Sequence, residues 1–174
     1  MEKTNELLSR LPEAAKDLRI NAERVLAGQE SLDAAQTWGV ALAAAFFIRH
    51  PELSAALLAD AKSAGIDEAV IDDARGAAAI MGMNTVYYRF RHLMKSGAYE
   101  KTPANLRMTR MQQVATDKTS FELFSIGPAA LAGCELCLKA HESAVKQGGL
   151  DERQVHDAVR IAAVLHGLAV ALDL

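Results

Sequence analysis

Apolar residues in this chain recur three and four apart, between residues that start and stop helices, and nowhere do they alternate. Ala74, Ala77, Ala78 and Met81 form one such row, and Val155, Ala158, Val159 and Ala162 another. That spacing lines one face of an α-helix, whereas a half-buried strand needs a period of two. Pro12 and Pro51 suit first helical turns, where a missing N–H goes unnoticed. Ser31, Asp67, Thr119 and Asp151 can cap the free N–H groups of a helix start. Gly65 and Gly148 suit helix ends. No Asn-Gly or Asp-Gly pair marks a hairpin. The expectation is an all-α chain of about eight to ten helices. At 174 residues the chain is long enough for one domain with a substantial core, spanning 1–174. Ser96 to Pro103 is the least regular stretch and reads as a connection.

The chain also resembles itself. Gly65-Ile-Asp-Glu-Ala-Val-Ile-Asp-Asp-Ala matches Gly149-Leu-Asp-Glu-Arg-Gln-Val-His-Asp-Ala at an offset of 149 − 65 = 84 residues. The offset persists without a gap through Ala78-Ala79 against Ala162-Ala163 and Val86 against Val170. Duplication is the better reading. It implies two similar helical halves, approximately 12–95 and 104–174, packed about a pseudo-two-fold axis.

A net charge of −3 creates no basic field for nucleic acid or an anionic membrane. Tyr87-Tyr-Arg-Phe-Arg91 therefore reads as a subunit interface, and Met81-Gly-Met83 with Met94 as core or interface packing. The apolar run from Val40 to Ile48 is far shorter than the roughly 20 residues a membrane span needs. Met1-Glu-Lys-Thr-Asn-Glu lacks the pattern of a secretory signal. A cytoplasmic location is the expectation, and there a cysteine pair is more often catalytic or metal-binding than a structural staple.

The two cysteines fall in Cys134-Glu-Leu-Cys137-Leu-Lys-Ala-His141. On a helix, Cys134, Cys137 and His141 share one stripe. As a staple the pair is poor: a four-residue loop contributes roughly 2 kcal/mol, against about 3 for fifteen residues. Zinc fits badly, because His156 and His166 are ten apart and His141 follows too closely, so no metal is expected. Redox chemistry needs a thiolate. Gly127, Pro128 and Gly133 place a helix start near the motif, and a helix N-terminus lowers a thiol pKa. Because nucleophilicity falls with pKa, the net gain from the dipole is only about threefold. A positioned proton-transfer group, which contributes typically ~10²–10⁴, is required. His141 is the local candidate, and a carboxylate can orient it. Spacing does not choose among Glu135, Glu142 and Glu122, and Thr119-Ser-Phe-Glu122 fits a capping box. Subtracting 84 from the three motif positions gives His50, Leu53 and Leu57, so one half alone carries the chemistry.

Glu122, eleven residues, Cys134-x-x-Cys137, three residues and His141 together resemble the signature of AhpD-like alkyl hydroperoxidases, in the carboxymuconolactone decarboxylase superfamily. Leu11-Pro-Glu-Ala-Ala-Lys-Asp, Gln36-x-Trp38-Gly39, Ala77-Ala-Ala-Ile-Met-Gly-Met-Asn84 and Phe121-Glu-Leu resemble further segments of that family, across essentially the whole chain. The resemblance implies the family's helical fold and a peroxidase for small organic hydroperoxides. It implies that Cys137 attacks the peroxide, Cys134 supplies a proton and then closes the disulfide, and His141 with Glu122 forms the proton relay that activates Cys137. It further implies no bound cofactor, re-reduction by a dihydrolipoyl group or other dithiol on a partner protein, and a homo-oligomer, typically a trimer. Leu136 stands where some members have a histidine between the cysteines, which leaves His166 to compensate if the last helix returns to the site. The alternatives are a decarboxylase on the same fold and a non-enzymatic thiol sensor.

Overall fold

Alanine-rich rows at helical spacing, separated by capping residues, build the α-helices of this computed structural model, which describes residues 1–28 and 30–174, with the backbone alone of Glu100. In chain order they are α1 (Glu2–Leu8), α2 (Lys16–Leu26), α3 (Ala34–Ile48), α4 (Pro51–Ser63), α5 (Glu68–Met94), α6 (Gly97–Lys101), α7 (Lys118–Leu131), α8 (Glu135–Gln147) and α9 (Glu152–Leu172). Short 3-10 turns at Glu13–Ala15 and Thr109–Met111 complete the set, and no strand occurs among the described residues. The fold is all-α.

The core forms where apolar character runs right round a helix. On α3 every residue from Thr37 to Ala45 is buried, and on α7 every residue from Phe121 to Ala129. These two pack on each other, with α5 and α9 against both. A helix apolar on all sides can exist in water only with neighbours on all sides. Gly39 lets α3 and α7 meet: a Cβ there would lie 2.2 Å from the Phe124 ring. The outer helices are amphipathic, α2 lying on α9, α1 on α4, and α8 on α7 and α5.

α9 is long and apolar enough to cross a membrane by length and composition. Here its apolar face, with Ile161, Leu165 and Leu168, is buried in the core beside α2, α3 and α7. The sequence reading considered Val40 to Ile48 for a span and overlooked this longer helix.

Asp67 and Asp151 cap α5 and α9, each accepting from an N–H two residues on. At two other helix starts the cap differs from expectation. α3 is capped by Asp33, not Ser31, with a reciprocal Gln36 contact, while Ser31 donates to Asp157. α7 is capped by Asp117, whose carboxylate accepts from Ser120 N, so Thr119 is not the cap and Glu122 is not part of a capping box. Gly127 and Pro128 lie within α7 rather than before a new helix. Ser96 to Pro103 is not wholly irregular either, since α6 occupies Gly97–Lys101.

Three pairs of helices start 84 residues apart: 118 − 34 for α7 and α3, 135 − 51 for α8 and α4, 152 − 68 for α9 and α5. Their caps pair likewise, Asp33 with Asp117, His50 with Cys134 and Asp67 with Asp151.

Candidate active site

The site is made by a tight turn between α7 and α8. α7 ends with Gly133 in the left-handed region at φ 62. Gly133 N–H bonds Ala130 O and Cys134 N–H bonds Ala129 O, the paired bonds of a Schellman end. Cys134 is thus the residue that leaves α7 and, one position later, the cap of α8. Its Sγ accepts from Cys137 N at 3.3 Å. The free N–H groups and dipole of the helix start therefore act directly on Cys134, while Cys137 sits a turn inside. The two sulfurs are bonded to each other, with Cα atoms 5.3 Å apart.

The turn of α8 that carries Cys137 also carries His141, one turn further on. His141 is 5% exposed. Its Nδ1 lies 2.6 Å from Glu122 Oε2, brought from α7, and its Nε2 lies 3.2 Å from Met81 Sδ on α5. Lys118, one turn before Glu122, reaches Glu122 Oε1 at 2.9 Å. Burial pushes the Glu122 carboxyl up, but the bonds from His141 and Lys118 outweigh it and hold the group below the usual carboxylate range. An ionised Glu122 fixes the tautomer: Nδ1–H donates, and Nε2 is left for proton exchange. Neither ring nitrogen bonds a cysteine sulfur in this disulfide form.

A cavity of about 360 Å³ opens on the motif, walled by Asn84, Tyr88, Met108, Met111, Leu136, Cys137, Ala140 and His141. Cys137 is part of this wall; Cys134 is fully buried and is not. Leu136 is exposed at the rim. Buried Asp73 positions the methionines. Its carboxylate accepts from Arg110, Ala115 N, Thr116 N and Thr116 Oγ1, tying the segment after α6 down onto α5.

The four residues singled out from sequence, Cys134, Cys137, His141 and Glu122, thus meet on α7 and α8. His166 does not join them. It borders a separate cavity with His50, Ala169 and Asp173, because that part of α9 faces the junction between α3 and α4. Sequence reasoning missed Lys118, Asn84, Tyr88, Met108 and Met111, and read Met81 as packing. Met81, Asn84 and Tyr88 are spaced three and four apart, so a stripe on α5 was available as a signal. Among the described residues, no cluster of three or more His, Cys, Asp or Glu side chains can hold a metal.

A bonded cysteine pair at a helix start, with Cys137 facing an apolar cavity beside a carboxylate-oriented histidine, marks the candidate site of an all-helical protein. The sequence profile described as "Carboxymuconolactone decarboxylase family" matches residues 97–174. The chain is 49% identical over 173 residues to a protein named alkyl hydroperoxide reductase AhpD from Anaeromyxobacter sp. (strain Fw109-5), covering 99% of this chain and 92% of that one. A protein of the same name from Anaeromyxobacter dehalogenans (strain 2CP-1) is 52% identical over 164 residues, 94% of this chain and 87% of its own. One from Rhodospirillum centenum is 44% identical over 167 residues, covering 96% and 89%. The chain belongs to the AhpD-like family of the carboxymuconolactone decarboxylase superfamily.

Proposed function

We propose that this protein is a dithiol peroxidase that reduces small organic hydroperoxides to alcohols. One observation carries the division of labour: Cys137 borders the cavity with His141, and Cys134 lies sealed behind it. In the reduced protein, Cys137 thiolate attacks the distal oxygen of R–O–O–H. The S–O bond forms, the O–O bond breaks, and two electrons pass from sulfur to the peroxide. Cys137 has passed its thiol proton to His141 Nε2, and the departing alkoxide takes that proton, while Nδ1–H stays on Glu122. The Met81 thioether beside Nε2 is at most a weak hydrogen-bonding partner, so a better proton partner displaces it at little cost. Cys134 then attacks the sulfenic sulfur, the disulfide forms and water leaves. A partner dithiol, a dihydrolipoyl group by family resemblance, returns two electrons and two protons. The bound pair and its cap support Cys134 as the resolving thiol.

Exposed Val86, Phe90, Leu93 and Met94 on the last turns of α5 support the homo-oligomer, a trimer by resemblance. The shared 84-residue offset of helix starts supports descent of α3–α5 and α7–α9 from one duplicated unit. A dithiol catalyst needs a reducing pool, which supports the cytoplasm.

The decisive measurement is turnover of tert-butyl hydroperoxide with dihydrolipoamide. Wild-type protein forms tert-butanol with loss of two thiols per first cycle. Cys137→Ser abolishes consumption, and Cys134→Ser oxidises once and stalls at the sulfenic acid. Unchanged thiols after hydroperoxide would favour the decarboxylase instead, oxidation without turnover a sensor, and normal dithiol turnover by Cys134→Ser would reverse the two roles.

A further inference from the structure

An amide buried in an apolar wall needs a partner for each of its polar atoms. Asn84 is 5% exposed and projects from the middle of α5 into the cavity wall. Its Nδ2 touches Met111 Sδ at 3.7 Å, a weak bond. Its Oδ1 is buried and has no hydrogen-bond partner. The surrounding wall is two thioethers, Leu136, Ala140, the Tyr88 ring, Cys137 and His141. Tyr88 gives its hydroxyl hydrogen to Met108 Sδ at 3.9 Å, and His141 Nδ1 is committed to Glu122. An unspent carbonyl acceptor is therefore buried in the same wall that carries the sulfur proposed to react.

We propose that Asn84 binds the hydroperoxide and aims it, its side-chain carbonyl accepting the substrate's O–H. This rests on the peroxidase reading. A hydroperoxide carries one hydrogen-bond donor, on the distal oxygen, and that is the oxygen the thiolate must strike. α5 and α8 wall the cavity from different sides, so an O–H anchored on α5 holds the distal oxygen opposite Cys137. The organic group then lies along Met108, Met111 and Leu136, which offer contact and no hydrogen bond. The class of ligand is a hydroperoxide with an apolar substituent: the hydrogen bond fixes the reacting end, and the methionines accommodate varied shapes.

The test is single-turnover oxidation of the reduced protein by cumene hydroperoxide in Asn84→Leu, an apolar side chain of similar volume. Loss of one neutral hydrogen bond in the reacting complex slows thiol oxidation about tenfold. Two controls separate binding from a structural effect. Alkylation of Cys137 by ethyl iodoacetate, which has no hydrogen-bond donor to anchor, stays within about twofold of wild type. Reduction of the disulfide by dihydrolipoamide also stays unchanged. A wild-type rate with cumene hydroperoxide, or an equal fall in alkylation, overturns the role of Asn84. Should the leucine variant not fold, Asn84→Ala is measured in the same way and read by the same criteria. Wild-type protein that consumes no hydroperoxide overturns the peroxidase reading and this inference together; an active wild type with an unchanged variant overturns the inference alone.

Discussion

Glu122 is a carboxylate placed where water gives it little help, and it is still held below the ordinary range. Desolvation alone would protonate it; the bonds from His141 Nδ1 and Lys118 Nζ decide otherwise. Its charge is what keeps the imidazole in one tautomer. Glu122→Gln preserves shape and an acceptor but removes the charge. Hydroperoxide turnover is expected to fall by about 10² or more, read as kcat/KM, with the far-ultraviolet spectrum unchanged. The linkage has a definite sign. A carboxyl whose folded pKa lies below its unfolded value adds stability that is fully present above the unfolded pKa and lost as pH falls through the folded one. The difference in urea midpoint between wild type and Glu122→Gln should therefore be largest near neutrality and shrink on acidification below about pH 4. A difference that grows in acid would refute an ionised Glu122. Cys134, Cys137 and His141 were legible in the sequence as a group, since one helix and its cap place all three. Glu122 was less so: local physics read it as a cap, and family resemblance moved it to the site. Asn84 was legible only as part of a stripe on α5 with Met81 and Tyr88; that the stripe meets α8 was not, since helical spacing carries no information on which helices meet.

The turn joining α7 to α8 shows how an element boundary sets chemistry. A left-handed residue costs an L-amino acid roughly 1–2 kcal/mol, and glycine is exempt. Gly133 takes that position with nothing within 4 Å of a Cβ built there, so only the backbone conformation penalises a substitution. Gly133→Ala is expected to lower stability by about 1 kcal/mol in urea unfolding and to slow turnover by shifting Cys134 off its cap. The position 133 − 84 = 49 holds Arg49, also left-handed at φ 63, at the end of α3. Arg49→Gly relieves that penalty and should stabilise by about 0.5–1 kcal/mol, leaving peroxidase rates alone. Opposite signs at the two positions are the check; a loss at both would point to side-chain packing. Element existence was legible here because period and punctuation agree. Boundaries were less so. Ser31 and Thr119 each stand two residues from an aspartate, and the cap is whichever side chain reaches the second or third N–H, a matter of loop path.

At the scale of the whole molecule, the reactive pair is peripheral to what holds the fold together. The interior is α3 and α7 clasped by α5 and α9, mostly apolar burial, and its main apolar cluster contains neither cysteine. Cys134 and Cys137 join a smaller cluster with Met81 and Ala129. The disulfide closes a loop of four residues, worth about 2 kcal/mol in the chain-entropy model. For a chain of this size each kcal/mol moves the melting temperature by about 2–4 °C, so reduction should lower it by about 4–8 °C and leave a single cooperative transition. A catalyst that cycles between bonded and separate sulfurs needs that insensitivity: a fold resting on the bond would unravel each time the pair was reset. Circular dichroism melts of the oxidised protein, the phosphine-reduced protein and the Cys134→Ser/Cys137→Ser double variant measure it. The reduced and double-variant curves should superimpose within a few degrees and retain full helicity at room temperature. Loss of helicity on reduction would make the bond a structural staple, and a staple cannot also be the part that opens in every cycle.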